Sequence, residues 1–192
     1  MKSLFLAFVI GVFFWGCSNQ DTYPIIPSLE FKSLTFGDKG RYTFTLTATF
    51  TDGDGDIGYY QDRPNDPVFD DTLSQYYYNF VLNLQVLKNG VWADSVIVYT
   101  DINFNVDSIA SDNDTTYTYY NDLVSLRLPY LTQDGQNKGL KGDIEKSAFL
   151  PIPFFGDNPF VGDTIRFRAF IYDRALHKSN EIFTPGYLIL TP

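Results

Sequence analysis

Three aspartates stand at alternate positions in the stretch TDGDGDIG, which covers residues 51–58. Carboxylates two residues apart can converge on one cation when glycines let the chain curl, and Ca²⁺ takes about six to eight oxygen ligands. If no cation were bound, carboxylates gathered at one point would repel each other and raise each other's pKa. The spacing therefore predicts a calcium loop with Asp52, Asp54 and Asp56 as ligands and calcium as cofactor. The alternative is a solvated turn in which the aspartates cap backbone amides.

The pattern is not that of an EF-hand, which has glycine at its sixth position and glutamate at its twelfth. Counting from Asp52, these positions hold Ile57 and Arg63. A calcium loop here would need main-chain carbonyls and one further carboxylate to complete its ligands. The candidates for that closing ligand are Asp62, Asp66, Asp70, Asp71 and Asp173.

The strand that must position this loop directly precedes it. In RYTFTLTATF, residues 41–50, apolar residues alternate with threonines, which is typical of a strand with one buried face. LEFKSLTF, residues 29–36, is predicted to be a strand that pairs with it. A second hairpin is predicted from residues 78–88 and 91–100, because Asn89-Gly90 between them is the dipeptide most favoured in a type I′ turn.

Further strands are predicted at Asp122–Tyr130, Leu140–Leu150, Asp163–Tyr172 and Asn180–Leu190. Seven or eight antiparallel strands at this spacing indicate an all-β, two-sheet sandwich. A small closed barrel is the alternative. The long segments 59–75 and 103–121 favour the sandwich, because a barrel would have uniformly short turns.

The N-terminus has the order of an export signal. Lys2 precedes an apolar run from Leu4 to Trp15, which is shorter than the about 20 residues needed to span a membrane. FFWGCSNQ, residues 13–20, resembles the lipobox of bacterial lipoproteins, and the resemblance implies that Cys17, the chain's sole cysteine, carries a lipid. An unmodified thiol is the alternative. We predict a signal peptide at 1–16, a tether at 17–28 and a β-sandwich domain at 29–192.

The charge balance limits the partners. The net charge is −9 and becomes −10 when the signal peptide, with its one lysine, is removed. Binding to nucleic acid or anionic lipid needs clustered lysine and arginine, so neither is expected as a direct partner. Tyrosines at 76–78 and at 117, 119 and 120 offer rings to a glycan or an envelope protein.

A family resemblance rests on FTDGDGDIG, residues 50–58, and DTIRFRAFIYDRALHKSNEIFTP, residues 163–185. Both resemble a group of lipoproteins from Bacteroidota-type bacteria. The resemblance implies an immunoglobulin-like sandwich on the outer membrane or cell surface and assigns no activity. It also implies that Asp173 and Asn180 brace the turn of the last hairpin.

Catalytic signals are weak. The only histidine is His177, in a predicted turn, and no G-x-S-x-G stretch exists. We therefore expect no enzyme, but a lipid-anchored cell-envelope protein that acts as a calcium-stabilised binding or structural module. The alternative is a carboxylate-dependent glycan hydrolase, which needs a pair of acids.

Overall fold

The computed structural model describes residues 23–37, 43–59, 68–71, 74–94, 97–99, 106–109, 125–131, 139–150, 160 and 162–190. For residues 97–99 and 106–109 it describes the backbone alone. The predicted signal peptide (1–16), the lipid site Cys17 and the first part of the tether lie outside the described residues.

The described ranges contain ten strands and no helix. No segment of this part of the chain forms a helix long and apolar enough to cross a membrane. The strands are β1 (Ser28–Phe36), β2 (Thr43–Asp52), β3 (Phe80–Lys88), β4 (Val91–Asp94), β5 (Ile97–Tyr99), β6 (Val106–Ile109), β7 (Leu140–Phe149), β8 (Thr164–Ile171), β9 (Ile182–Phe183) and β10 (Tyr187–Leu188).

The strands form two main antiparallel sheets, which confirms the predicted sandwich. One sheet has the order β1-β2-β7, and the other has the order β10-β8-β3-β4 with β9 also paired to β8. Strands β5 and β6 pair with each other apart from both sheets.

The core lies between the two sheets. The apolar positions of β2 are buried and alternate with partly exposed threonines, and β8 alternates in the same way as far as Ala169. In β3 every residue from Leu82 to Val86 is buried, so both faces of this strand are covered. Phe44 of β2 and Phe167 of β8 meet across the sandwich with ring centres 4.3 Å apart. The outward positions of β2 are threonines, as the alternation predicts.

The second hairpin has the predicted turn. Asn89 and Gly90 have φ values of 52° and 80°, as a type I′ turn requires of both central residues. The strands pair from Lys88 opposite Val91 as far as Gln85 opposite Asp94. Within the predicted strand at 91–100 the structure has β4, which pairs with β3, and β5, which pairs with β6.

Two other strand predictions and one loop prediction need correction. Residues 125–131, within the predicted strand Asp122–Tyr130, make only isolated bridges, from Leu126 to Phe80 and from Pro129 to Tyr59. Pro129 has no amide proton for a regular ladder. Strand β6 lies inside the predicted loop 103–121.

The last predicted strand is divided into β9 and β10. Between them the amide of Phe167 donates to the hydroxyl of Thr184, at 2.9 Å, where a continuous strand would offer a main-chain carbonyl. Pro185 follows and has no amide proton to donate to the ladder.

Candidate metal centre

Asp52 is the last residue of β2 and takes an inward position. The buried positions of this strand are Phe44, Leu46, Ala48, Phe50 and then Asp52, which is fully buried. A carboxylate thus stands where the strand's period places a core side chain. Burying an ionised carboxylate is costly unless it is paired or coordinates a metal.

The loop that follows β2, residues 53–58 and called here the glycine loop, turns back onto this carboxylate. Oδ2 of Asp52 accepts hydrogen bonds from the amides of Asp56 at 2.8 Å and Ile57 at 3.3 Å. Gly55 has a φ of 73°, which glycine adopts without steric cost. Oδ1 of Asp52 is buried and has no hydrogen-bond partner in the described part of the chain.

Asp56 joins the loop to the hairpin between β8 and β9. Its Oδ2 accepts the amide of Ala175 at 3.1 Å, and its main-chain carbonyl accepts the amide of Arg174 at 3.3 Å. The guanidinium of Arg174 donates to the carbonyl of Gly58 at 3.1 Å. These hydrogen bonds hold the loop against the hairpin without a bound ion.

Asp173 enters the same space from the five-stranded sheet. It is fully buried, and its backbone bridges to Ile57 of the glycine loop. Its Oδ1 accepts the amide of His177 at 2.7 Å, and its Oδ2 lies 2.8 Å from Nδ1 of the same histidine. The side chain of Asp173 therefore holds the turn of the hairpin at His177, and one of its oxygens also lies near the acids of the loop.

Asp52, Asp56 and Asp173 each offer an oxygen, and these oxygens lie within 4.8 Å of one another. Two oxygens on opposite sides of one Ca²⁺ are about 5 Å apart, since each bond is about 2.3–2.6 Å. The three carboxylates thus fit a single cation of calcium size. Asp173, one of the candidates for a closing ligand, joins two of the three predicted ligands.

Asp54 lies outside that group of three but close to it. Its Oδ1, like those of Asp52 and Asp56, is buried without a hydrogen-bond partner among the described residues. Its charge also raises the pKa of both Asp52 and Asp56. Three orphaned carboxylate oxygens in one loop favour a cation over the alternative of a solvated turn.

The raised pKa values of the carboxyl groups show that their ionised forms are destabilised in this arrangement. Burial, together with the charges of Asp54 and Asp56, raises the pKa of Asp52 to about 7. Burial and the charge of Asp173 raise the pKa of Asp56. The hydrogen bond to Asp173 raises the pKa of His177, which favours its charged form. A divalent cation would favour the ionised carboxylates directly.

No protein-family model, no curated protein and no solved structure matches this chain.

The residues of the site form an all-oxygen donor set, which suits Ca²⁺ or Mg²⁺. Zinc prefers cysteine and histidine. His177 is occupied through Nδ1 by Asp173, and Cys17 lies outside the described residues. Mg²⁺ demands near-ideal octahedral geometry, whereas Ca²⁺ accepts a flexible set of oxygen ligands. The three carboxylates could hold either divalent cation.

Asn180, the second predicted bracing residue, contacts β1. Its Oδ1 accepts the amide of Leu29 at 2.8 Å, and its Nδ2 donates to the carbonyl of Leu29 at 2.9 Å. Ser28 donates to the same Oδ1 at 3.2 Å. The side chain of Asn180 thus holds the hairpin against the start of the first strand.

Proposed function

We propose that this protein is a lipid-anchored cell-envelope module whose immunoglobulin-like sandwich is stabilised by a calcium ion bound to Asp52, Asp56 and Asp173. The observation that carries the calcium assignment is the fully buried carboxylate of Asp52, whose Oδ1 has no partner in the described part of the chain. It stands among other acids, so a cation is the group that compensates it.

The ion would act as a structural clasp between the sheets. Asp52 ends β2 of the three-stranded sheet, and Asp173 follows β8 of the five-stranded sheet. Asp56 reaches both elements through its hydrogen bonds. A cation shared by these residues would stabilise the folded state, because the unfolded chain cannot present the same ligands together.

The anchor part of the proposal is supported by the lipobox resemblance and by the position of Cys17 directly after the apolar run. Attached acyl chains would contribute about 0.8 kcal/mol per buried methylene. The module would then be held at the outer membrane or the cell surface. Its acidic net charge is consistent with attachment through lipid and not through basic residues.

The recognition role is supported by aromatic side chains on the outer face of the five-stranded sheet. The guanidinium carbon of Arg166 lies 4.3 Å from the ring centre of Trp92 and 4.4 Å from that of Phe183. Phe183 remains 43% exposed. Aromatic residues and arginine are enriched at contact surfaces, which suits a glycan or an envelope protein as partner.

The burial of the acids favours this module over a glycan hydrolase. Such a hydrolase needs an acid pair that flanks the scissile bond. Asp52 and Asp173 are both fully buried, so a sugar chain would not reach them. Turnover of chromogenic glycosides that is lost in Asp54→Asn and Asp56→Asn variants would reverse this preference.

Thermal unfolding tests the calcium site. We expect a higher midpoint in calcium than in chelator, with a gain of about 2.7 kcal/mol when free calcium is about 100 times Kd. Asp163→Asn is the matched control, because Asp163 pairs with Lys88 at the opposite end of the sandwich. This variant should keep the full calcium response. Identical midpoints for the parent chain in calcium and chelator would refute the site.

A glycan array tests the partner class. Binding that Trp92→Ala and Phe183→Ala reduce would identify a glycan partner on the outer face of the sheet. A blank array would exclude the sugars displayed. An envelope protein that binds the parent chain, and binds the same two variants more weakly, would then identify a protein partner.

A further inference from the structure

The end of the sandwich that carries the metal centre is also the end at which the chain arrives from the lipid site. The described chain begins at Tyr23, six residues after Cys17. Six residues span at most about 21 Å when fully extended. A lipid on Cys17 would therefore hold this end of the domain close to the bilayer surface.

The segment 23–24 is packed on the body of the domain. A Cβ at Gly53 would lie 2.2 Å from the carbonyl oxygen of Tyr23 and 2.6 Å from the carbonyl carbon of Pro24. Only glycine permits this backbone approach. The segment therefore packs against Gly53, the residue that follows Asp52.

Ile25 and Ile26 follow directly and are 58% and 55% exposed. Pro27 and Leu29 behind them are buried. Two adjacent isoleucines are therefore displayed outward between two points that fix the backbone. No charged residue occurs from position 23 to position 29.

We propose that Ile25 and Ile26 insert into the surface of the lipid bilayer and seat the metal-centre end of the domain on the membrane. This inference rests on the lipid anchor of the proposed function. The uncharged segment needs an apolar contact and no anionic lipid, so zwitterionic phospholipid is the surface that it fits. A single acyl chain gives marginal membrane binding, and the anchor raises the local concentration at which a small second contact acts.

The opposite end of the domain supplies the matched control. Strand β3 runs from Phe80, which pairs with Ile171 next to the metal centre, to the turn at Asn89-Gly90. Val91, directly after this turn, is 67% exposed. It is as apolar and as accessible as the two isoleucines, but it lies at the far end of the strand.

The experiment couples the mature chain (17–192) through its only thiol, that of Cys17, to a maleimide lipid in phosphatidylcholine vesicles with brominated acyl chains. Trp92 is the one tryptophan left after the signal is removed, and the parent chain measures its background. We expect several-fold stronger quenching in the Ile26→Trp variant than in the Val91→Trp variant. Equal quenching in both variants, or none at position 26, overturns the inference.

Self-association is the competing use of the same residues. Sedimentation of the uncoupled chain tests this alternative. A dimer that is lost in the double variant Ile25→Asp, Ile26→Asp would show that these side chains contact a second copy, and it would overturn the membrane contact. A monomer is expected. Because the lipid is attached chemically, these measurements do not depend on lipidation in the cell, which mass spectrometry of the native protein tests separately.

Discussion

Asp52 lies on a strand of one sheet and Asp173 follows a strand of the other, yet their carboxylates approach each other to within 4.8 Å. Asp52 ends β2, and Asp173 lies two residues beyond β8. Both side chains are fully buried. Acidic groups that could hold a metal ion thus meet between the two sheets at one end of the sandwich.

Replacing either acid by its amide should remove the calcium response. In Asp52→Asn the amide oxygen can still accept the hydrogen bonds of the loop, while the repelling charge is lost. We expect the calcium-free variant at pH 8 to be more stable than the parent by on the order of 1–2 kcal/mol. Denaturant unfolding with and without calcium measures both effects. A full calcium response in Asp52→Asn and Asp173→Asn would contradict the ligand assignment.

The calcium-free protein should lose stability as pH rises from about 4 to 7. The folded state keeps a proton on Asp52, whose pKa is about 7, while the unfolded state releases it near the ordinary value of 3.8. The folded state therefore binds more protons in this window, and the free energy of unfolding falls as pH rises. His177, whose pKa is raised, acts in the same direction.

Urea unfolding in chelator across this range measures the pH effect, and Asp52→Asn should flatten the curve. Asp143 and Glu181 act in the opposite direction at the acidic end of this range, because hydrogen bonds from Lys32 and Lys178 lower their pKa values from 3.8 and 4.5. Their contribution is complete above about pH 5.5, so the fall from there to pH 7 reports on Asp52 and His177. Stability that rises steadily from pH 4 to 7 in chelator would be inconsistent with a buried, protonated Asp52.

Gly90→Ala should destabilise the second hairpin by about 1–2 kcal/mol, because a left-handed conformation is strained for residues with a side chain. Nothing lies within 4 Å of the added Cβ, so the effect arises from the φ of 80° alone. Equilibrium unfolding measures it. Asn89→Gly keeps a residue suited to positive φ and should change stability little; an equal loss in that variant would argue against the turn type.

Gly53→Ala should displace the segment that holds Ile25 and Ile26. The added Cβ would meet the carbonyl oxygen of Tyr23 at 2.2 Å, so the backbone must separate. We expect protease to cleave this variant between residues 17 and 28 faster than it cleaves the parent chain. Mass spectrometry of the fragments measures the cleavage. Gly162→Ala is the control: it strains a φ of 84° at the other end of the domain with nothing nearby. Similar cleavage in both variants would show that the effect is general destabilisation.

Cys17→Ser should release the protein from the membrane fraction of its host and leave the fold unchanged. The expected mature parent begins with an acylated Cys17, and mass spectrometry of its N-terminal peptide reads this directly. A parent that fractionates with the membrane but carries no fatty acid would contradict the anchor.

Much of the fold could be predicted from the sequence, because the local patterns agree with the tertiary structure. The threonine alternation predicted β2, and the Asn89-Gly90 dipeptide predicted a turn that the φ values confirm. The period of two also continues through Phe50 to Asp52. The burial of Asp52 therefore had a signal in the sequence, although the prediction used only the spacing of the aspartates.

The set of aspartates that forms the candidate metal centre was harder to predict from the sequence. Asp54 has the same spacing as its neighbours but lies outside the group of three, because the curl of a glycine loop is set by contacts and not by spacing. Asp173 is more than 100 positions away from the loop and reaches it through the bridge to Ile57. Likewise, apolar residues predicted a strand near Leu126, but short bridges to two different partners occur there.

The two hydrogen bonds between Asn180 and Leu29 have a mechanical consequence. Tension from a membrane anchor would first reach the contact of residues 23–24 with Gly53. Once that contact was lost, the load would pass to the start of β1, which is held by its ladder to β2 and by the side chain of Asn180. Asn180 would then be the side chain that keeps the first strand attached to the last hairpin under load.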